Sequence, residues 1–151
     1  MDSNGQAARF FTECRSCAVP AEGWAAQVIR DGRLRWEVDW QCSACGVASC
    51  DWGWGPAAPW VCEELLKQRG SYRLELADPE VRSGHVLKAF RDGLGLSLSE
   101  AQQAARTLRQ SGYEATYVEA SLLADLLSQA GVESSLASVG EVDTTFVMGE
   151  P

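Results

Sequence analysis

The sequence predicts an α+β chain of two modules, a small metal-stapled β module followed by a compact β-α-α-β-α-β domain. Three observations point to it. Four cysteines fall in two identically spaced pairs, Cys14-Arg-Ser-Cys17 and Cys42-Ser-Ala-Cys45. All six cysteines and all six tryptophans lie before residue 63. From residue 71 onward the chain turns to Ala, Leu, Ser and Gln in helical periods, broken by short alternating runs. A length of 151 residues would suit one domain, but this change of composition splits the chain into two smaller ones.

Each Cys-x-x-Cys pair can form a tight knuckle that aims two sulfurs at one point. Two knuckles supply the four soft ligands of a closed tetrahedral site, so Cys14, Cys17, Cys42 and Cys45 are expected to hold one structural Zn2+ with no open coordination position. Between the pairs, Ala25 to Arg30, the turn dipeptide Asp31-Gly32, and Arg33 to Trp40 read as a hairpin. In its second arm Leu34, Trp36, Val38 and Trp40 alternate with Arg35, Glu37, Asp39 and Gln41, the pattern of a half-buried strand. This arrangement resembles a zinc ribbon, over residues 1–56. The competing readings are a pair of disulfides and a redox-active Cys-x-x-Cys. Met1 to Gln6 is polar, without an apolar signal core, which argues against export into a disulfide-forming compartment. A redox motif would sit once, at a helix start behind a strand of a larger sheet. Cys62, within Trp60-Val-Cys-Glu-Glu-Leu-Leu66, reads as a buried thiol of a short helix. Cys50 reads as structural, with ligand replacement or redox sensing as alternatives.

The segment Asp51 to Trp60 is expected to be irregular, because its glycines and prolines oppose a regular element. Trp52, Trp54 and Trp60 are costly to leave in water, so packing back on the ribbon is favoured over a binding surface. Residues 57–70 complete this aromatic linker and hold a short helix, started by Pro59 and ending near Lys67 to Arg69, with Gly70 as its cap.

Residues 71–139 form the second module. Tyr72, Leu74 and Leu76 alternate with Arg73 and Glu75 as a strand that stops at Asp78-Pro79. A helix from Ser83 to Leu94 places Val86, Leu87, Phe90 and Leu94 on one face, and Gly95 closes it. Ser97 and Glu100 make a capping box for a second helix, with Ala101, Ala104, Ala105 and Leu108 inward until Gly112. A strand from Tyr113 to Val118 follows. A third helix from Ser121 to Ala130 carries Leu122, Leu123, Leu126 and Leu127, and Val132 to Val139 is the last strand. Residues 140–151 are expected to be a flexible acidic tail, with Phe146-Val-Met as a possible addition to an edge or a partner.

The order of these elements, together with Val86-Leu-Lys-Ala-Phe-Arg91, Gly95-Leu-Ser-Leu-Ser-Glu-Ala101 and Leu126-Leu-Ser-Gln-Ala-Gly131-Val-Glu, resembles the C-terminal domain of the bacterial ribosomal large-subunit stalk protein over residues 71–139. The resemblance implies a docking module that recruits protein factors through a basic, partly apolar helical face. Lys88 and Arg91 match that face. Ser99 and Gln102 stand where the family usually has lysines, and the family's N-terminal dimerisation and hinge region is replaced by the cysteine module. Half the positive charge of the face is thereby lost, along with steering of acidic factors, so a use away from the ribosome is expected. The ClpS family of protease adaptors has a related fold. Its Asn-Asp-Asp type loop has no counterpart in Leu76-Ala-Asp-Pro-Glu80, and Asp78 and His85 read as a turn residue and a surface helix residue.

A formal net charge of −8, made more negative by four thiolates and one dication, gives phosphate binding no overall electrostatic source. A local basic cluster remains at the hairpin tip, Arg30, Arg33 and Arg35, interleaved with Asp31, Glu37 and Asp39. No run is long enough to span a bilayer, and a cytoplasmic protein is expected. With one histidine, no phosphate-cradling glycine loop and no nucleophile elbow, an enzyme is not expected, and Cys50 is the one reactive candidate. The sequence therefore leads to a non-enzymatic, zinc-binding protein-interaction module docking a protein through Lys88 and Arg91. The alternative is a nucleic-acid-associated factor of transcription or translation using the arginine hairpin.

Overall fold

A computed structural model describes residues 5–139. The expected acidic tail, 140–151, lies outside the described residues. The fold is α+β and the chain divides into two compact units, Met1–Arg69 and Gly70–Pro151.

The first unit is an antiparallel sheet of four strands in chain order, β1 (Gly5–Glu13), β2 (Pro20–Arg30), β3 (Arg33–Gln41) and β4 (Ala48–Trp54), followed by α1 (Pro59–Arg69). The β2–β3 turn is the Asp31-Gly32 dipeptide, with φ of 54° and 71°. Two successive left-handed residues match the twist of the strands they join. One face of the sheet is walled by alanines. Ala8 and Ala25 are fully buried and let α1 approach closely, where Val61 and Leu65 close a small core. Helix α1 also blocks the free edge of β1. The Gln68 amide receives the Arg9 backbone N–H at 3.0 Å and donates to the Arg9 carbonyl at 2.8 Å, standing in for a fifth strand. Arg69 Nε donates to the Ala7 carbonyl at 3.0 Å.

Two of these strands depart from the sequence reading. Strand β1 was not expected, because its inward residues are mixed in character and Phe11 faces outward, 70% exposed, which blurs the alternation. Strand β4 runs through Asp51 to Trp54, the first part of the stretch expected to be an irregular linker. Gly53 is compatible with a strand there and is needed for packing: a Cβ on it would meet the Trp36 indole at 2.8 Å. The glycine admits the Trp36 ring, and Trp52 and Trp54 point to the opposite face. Gly55, at φ 99°, ends the strand.

The second unit has β5 (Tyr72–Leu76), α2 (Ser83–Leu94), α3 (Leu98–Ser111), β6 (Tyr113–Ala115), α4 (Tyr117–Gln129) and β7 (Ser134–Ser138). The three strands pair antiparallel in the order β6-β5-β7. Leu74, Phe90, Leu122, Leu123 and Leu127 are at most 2% exposed and form the centre of its core. Gly95 caps α2 in the left-handed conformation, and the Ser97–Glu100 capping box opens α3. Gly93 brings α2 close to α4, since a Cβ there would lie 3.0 Å from Leu126.

The junction after β6 is corrected. The strand stops at Ala115 and α4 begins at Tyr117, not Ser121. Thr116, 1% exposed, caps the helix and Glu119 completes a second capping box. The β-forming residues Tyr117 and Val118 suggest a longer strand, but the two reciprocal cap bonds commit them to the helix. Among the described residues no helix is long and apolar enough to cross a membrane.

Candidate metal centre

The two cysteine pairs close the β1–β2 and β3–β4 connections at the same end of the sheet, as the strand pairing Glu22–Gln41 requires. Both knuckles use the same backbone bonds. Ala18 N–H donates to the Cys14 carbonyl at 2.8 Å and Cys14 N–H to the Val19 carbonyl at 3.0 Å. In the second knuckle Gly46 N–H donates to the Cys42 carbonyl and Cys42 N–H to the Val47 carbonyl, each at 2.8 Å. The residue after each pair sits at positive φ, 64° at Ala18 and 81° at Gly46.

This geometry brings the Sγ atoms of Cys14, Cys17, Cys42 and Cys45 within 4.8 Å of one another, a cluster able to hold a metal ion. Cys14 lies 3.6 Å from Cys45, and Cys17 lies 3.6 Å from Cys42. These separations are far beyond a disulfide bond, near 2.05 Å. Cys14 and Cys42 are buried with Ala21, against Trp40 and Val47, so the centre has an apolar wall on the sheet side.

The thiols differ in acidity. The Cys17 backbone N–H, above all, lowers Cys14 to about 7, assisted by the Ser16 N–H and the neighbouring thiols against the effect of burial. The Val19 N–H lowers Cys17, yet burial and the three other sulfurs outweigh it and push that thiol up to about 12. Cys45 is pulled down by the Val47 N–H but ends raised, by burial and by Cys14 and Cys42. The physical content is that one thiolate is accommodated readily while accumulating more is opposed. A dication held by these four sulfurs would remove that opposition and let the set ionise together.

The remaining sequence candidates fall into separate places. At the hairpin, the Arg35 guanidinium lies over the Trp52 ring at 3.9 Å and that of Arg33 over Trp54 at 4.2 Å. Arg35 also meets Glu37 at 2.9 Å, and Arg30 approaches the same carboxylate at 3.9 Å. Lys88 and Arg91 line one hollow on the second unit, where Lys88 is paired to Asp92 at 2.7 Å. Asp78 caps its own turn by accepting from the Glu80 N–H at 3.0 Å, and His85 is exposed. Cys50 is exposed on β4. Cys62 is half-buried beside the buried Gln27, whose amide lies 3.9 Å from its sulfur.

Sequence reasoning missed the outward face of the sheet. Trp24, Trp52 and Trp54 are 44, 49 and 39% exposed there. The signal was present in Trp52-Gly-Trp54, which puts two indoles on one side once β4 is read as a strand. Comparison of the chain with protein-family models, curated proteins and solved structures finds no match, so the function of these surfaces is argued from their geometry.

Proposed function

We propose that this protein is a non-enzymatic docking module, with a first unit built around one structural Zn2+ and a second unit that binds an acidic segment of a protein partner. The sulfur separations support zinc. A regular tetrahedron with Zn–S of about 2.3 Å has edges of about 3.8 Å; the Cys14–Cys45 and Cys17–Cys42 pairs lie at 3.6 Å, and all four sulfurs fall within 4.8 Å of one another. Four protein sulfurs leave no position for substrate, so the metal's part is to hold the fold. Free thiols in this arrangement suit a reducing, cytoplasmic setting.

One observation carries the docking reading. A hollow of about 600 Å³ between α2 and the start of α3 is lined by Leu87, Leu96 and Leu98, with Lys88, Arg91 and Asp92 on its wall. Leu98 is 49% exposed at its rim. Apolar leucines and a rim with one net positive charge together fit an amphipathic segment bearing a carboxylate. The likeness of these residues to the stalk domain supports the same face. Lys88 is partly occupied by Asp92, so Arg91, which enters no ion pair among the described residues, supplies most of the attraction.

Nucleic acid is the weaker reading. The arginines stacked on Trp52 and Trp54 favour it, but Glu22, Glu37 and Asp39 share their face and cancel the field a polyanion needs.

The test is affinity capture with the zinc-loaded chain and with its Lys88→Glu/Arg91→Glu variant. Proteins held by the native chain are expected to be lost from the variant, with metal content unchanged. If every captured protein is retained, the α2–α3 face is not the docking site.

A further inference from the structure

The outward face of the four-stranded sheet is the largest feature that the docking reading does not use. Its register places Phe11, Trp24, Trp52 and Trp54 on one side, and none of the described elements of the first unit covers them. Four exposed aromatics on a module of this size mark an association surface. Its charges are arranged along the strands. Arg30, Arg33 and Arg35 stand at the hairpin end, while Glu22 and Asp39 stand at the cysteine end. Arg9 pairs with Glu22, and Glu37 with Arg35. Arg33 and Asp39 enter no ion pair among the described residues. The face is therefore near neutral in sum and polar in direction, which suits neither a polyanion nor a polycation.

At the cysteine end the same face is concave. A hollow of about 420 Å³ is lined by Trp24, Glu22, Asp39, Gln41 and Cys50. Arg9 of the same chain already engages Glu22 and lies over the Trp24 ring at 5.9 Å, which leaves Asp39 as the carboxylate able to receive a further guanidinium or ammonium group. The opposite end of the same sheet presents Arg30 and Arg33, the paired strand residues that flank the Asp31-Gly32 turn.

We propose that the occupant of this face is a second copy of the chain, in an isologous sheet-on-sheet dimer. A two-fold axis lying across the strands reverses their direction, so each hairpin tip lies over the other copy's acidic hollow, and Trp52 falls near the axis. Four strands about 4.8 Å apart, seven or more residues long at about 3.3 Å each, give a face of roughly 500 Å² per chain. The pair buries on the order of 1,000 Å², the lower limit for a specific interface. The dimer is accordingly concentration-dependent, and tryptophan and arginine supply most of its affinity. This inference is independent of the docking site on the second unit.

Sedimentation equilibrium on the full, zinc-loaded chain tests it, with Arg33→Glu and Asp39→Arg variants measured alone and mixed. The native chain is expected to show a monomer–dimer equilibrium. Each variant alone places like charges at both symmetric contacts and should weaken dimerisation by roughly tenfold or more. Mixed in equal amounts, the two variants form a heterodimer with both contacts restored, and the dimer fraction should return toward the native value. Recovery on mixing excludes misfolding as the cause of the loss, and metal stoichiometry checks each variant separately. The proposal is overturned if the native chain stays monomeric at every concentration reached. It is also overturned if both variants dimerise like the native chain, or if mixing restores nothing. Retention of the monomer on single-stranded RNA at low salt, lost in Trp52→Ala/Trp54→Ala, would assign the face to nucleic acid instead.

Discussion

In the first unit the sheet is walled by Ala8, Ala21 and Ala25, with Leu34, Val61 and Leu65 as the larger fully buried apolar residues. In the second, Phe90, Leu74, Leu122, Leu123, Leu127, Val86 and Val118 are all buried around one centre. A buried leucine or phenylalanine contributes about 1.5–3 kcal/mol and a buried alanine far less. The second unit can thus hold itself together by burial, whereas the first places its large aromatics mostly at the surface and gathers four cysteines able to hold a metal. The contrast separates two kinds of sequence: where the core is spared its large residues they stand at the surface, and a metal held by the four cysteines would supply the missing cohesion.

The largest test of this contrast is metal removal. Structural zinc sites contribute about 10–16 kcal/mol to folding, so chelation, or Cys42→Ser/Cys45→Ser, should unfold the first unit and spare the second. The residues themselves report it: all six tryptophans lie in the first unit, and the three tyrosines, Tyr72, Tyr113 and Tyr117, lie in the second. Tryptophan emission should shift to the red while the helical circular dichroism of α2–α4 persists. Collapse of both signals together would break the comparison, since the units would then not be independently stable.

The converse test removes burial. Phe90 is 1% exposed and meets Tyr113 edge-on at 4.8 Å. Phe90→Ala should destabilise the second unit by about 3–5 kcal/mol, read as an earlier loss of tyrosine near-ultraviolet and helical signals on urea titration. Zinc content and tryptophan emission should not change.

Legibility in the sequence followed the same division. The cysteine cluster, the Asp31-Gly32 turn and the span of α2 were readable because each rests on a local signal: ligand spacing, a turn dipeptide, or an apolar stripe ended by Gly95. Strand β1 was not, because its inward Ala8 needs little volume once α1 supplies Val61 and Leu65, and no local rule announces that. Strand β4 was hidden by Gly53, whose role depends on Trp36 across the sheet. At Thr116 two local signals conflicted, and the capping box prevailed over the β-propensity of Tyr117 and Val118. The outward aromatic face was invisible until the register of four strands had put Trp24, Trp52 and Trp54 on one side.

The smallest effect separates the two knuckles within the first unit. They share the two backbone–backbone bonds that close each knuckle, yet the left-handed position is Gly46 in one and Ala18 in the other. An alanine in that conformation costs about 1–2 kcal/mol through its Cβ, and replacing it with glycine loosens the unfolded chain by about 0.4–1 kcal/mol. Ala18→Gly should therefore stabilise the first unit by roughly 0.5 kcal/mol, seen as a slightly higher urea midpoint for tryptophan emission with the tyrosine transition unmoved. Gly46→Ala should do the reverse by a similar amount, since a Cβ there meets no atom within 4 Å and backbone strain alone is added. Equal responses of opposite sign would show that the knuckles contribute equivalently to the centre. A larger loss at Gly46 would mean that the second knuckle, which joins β3 and β4, is the one that organises the sulfurs.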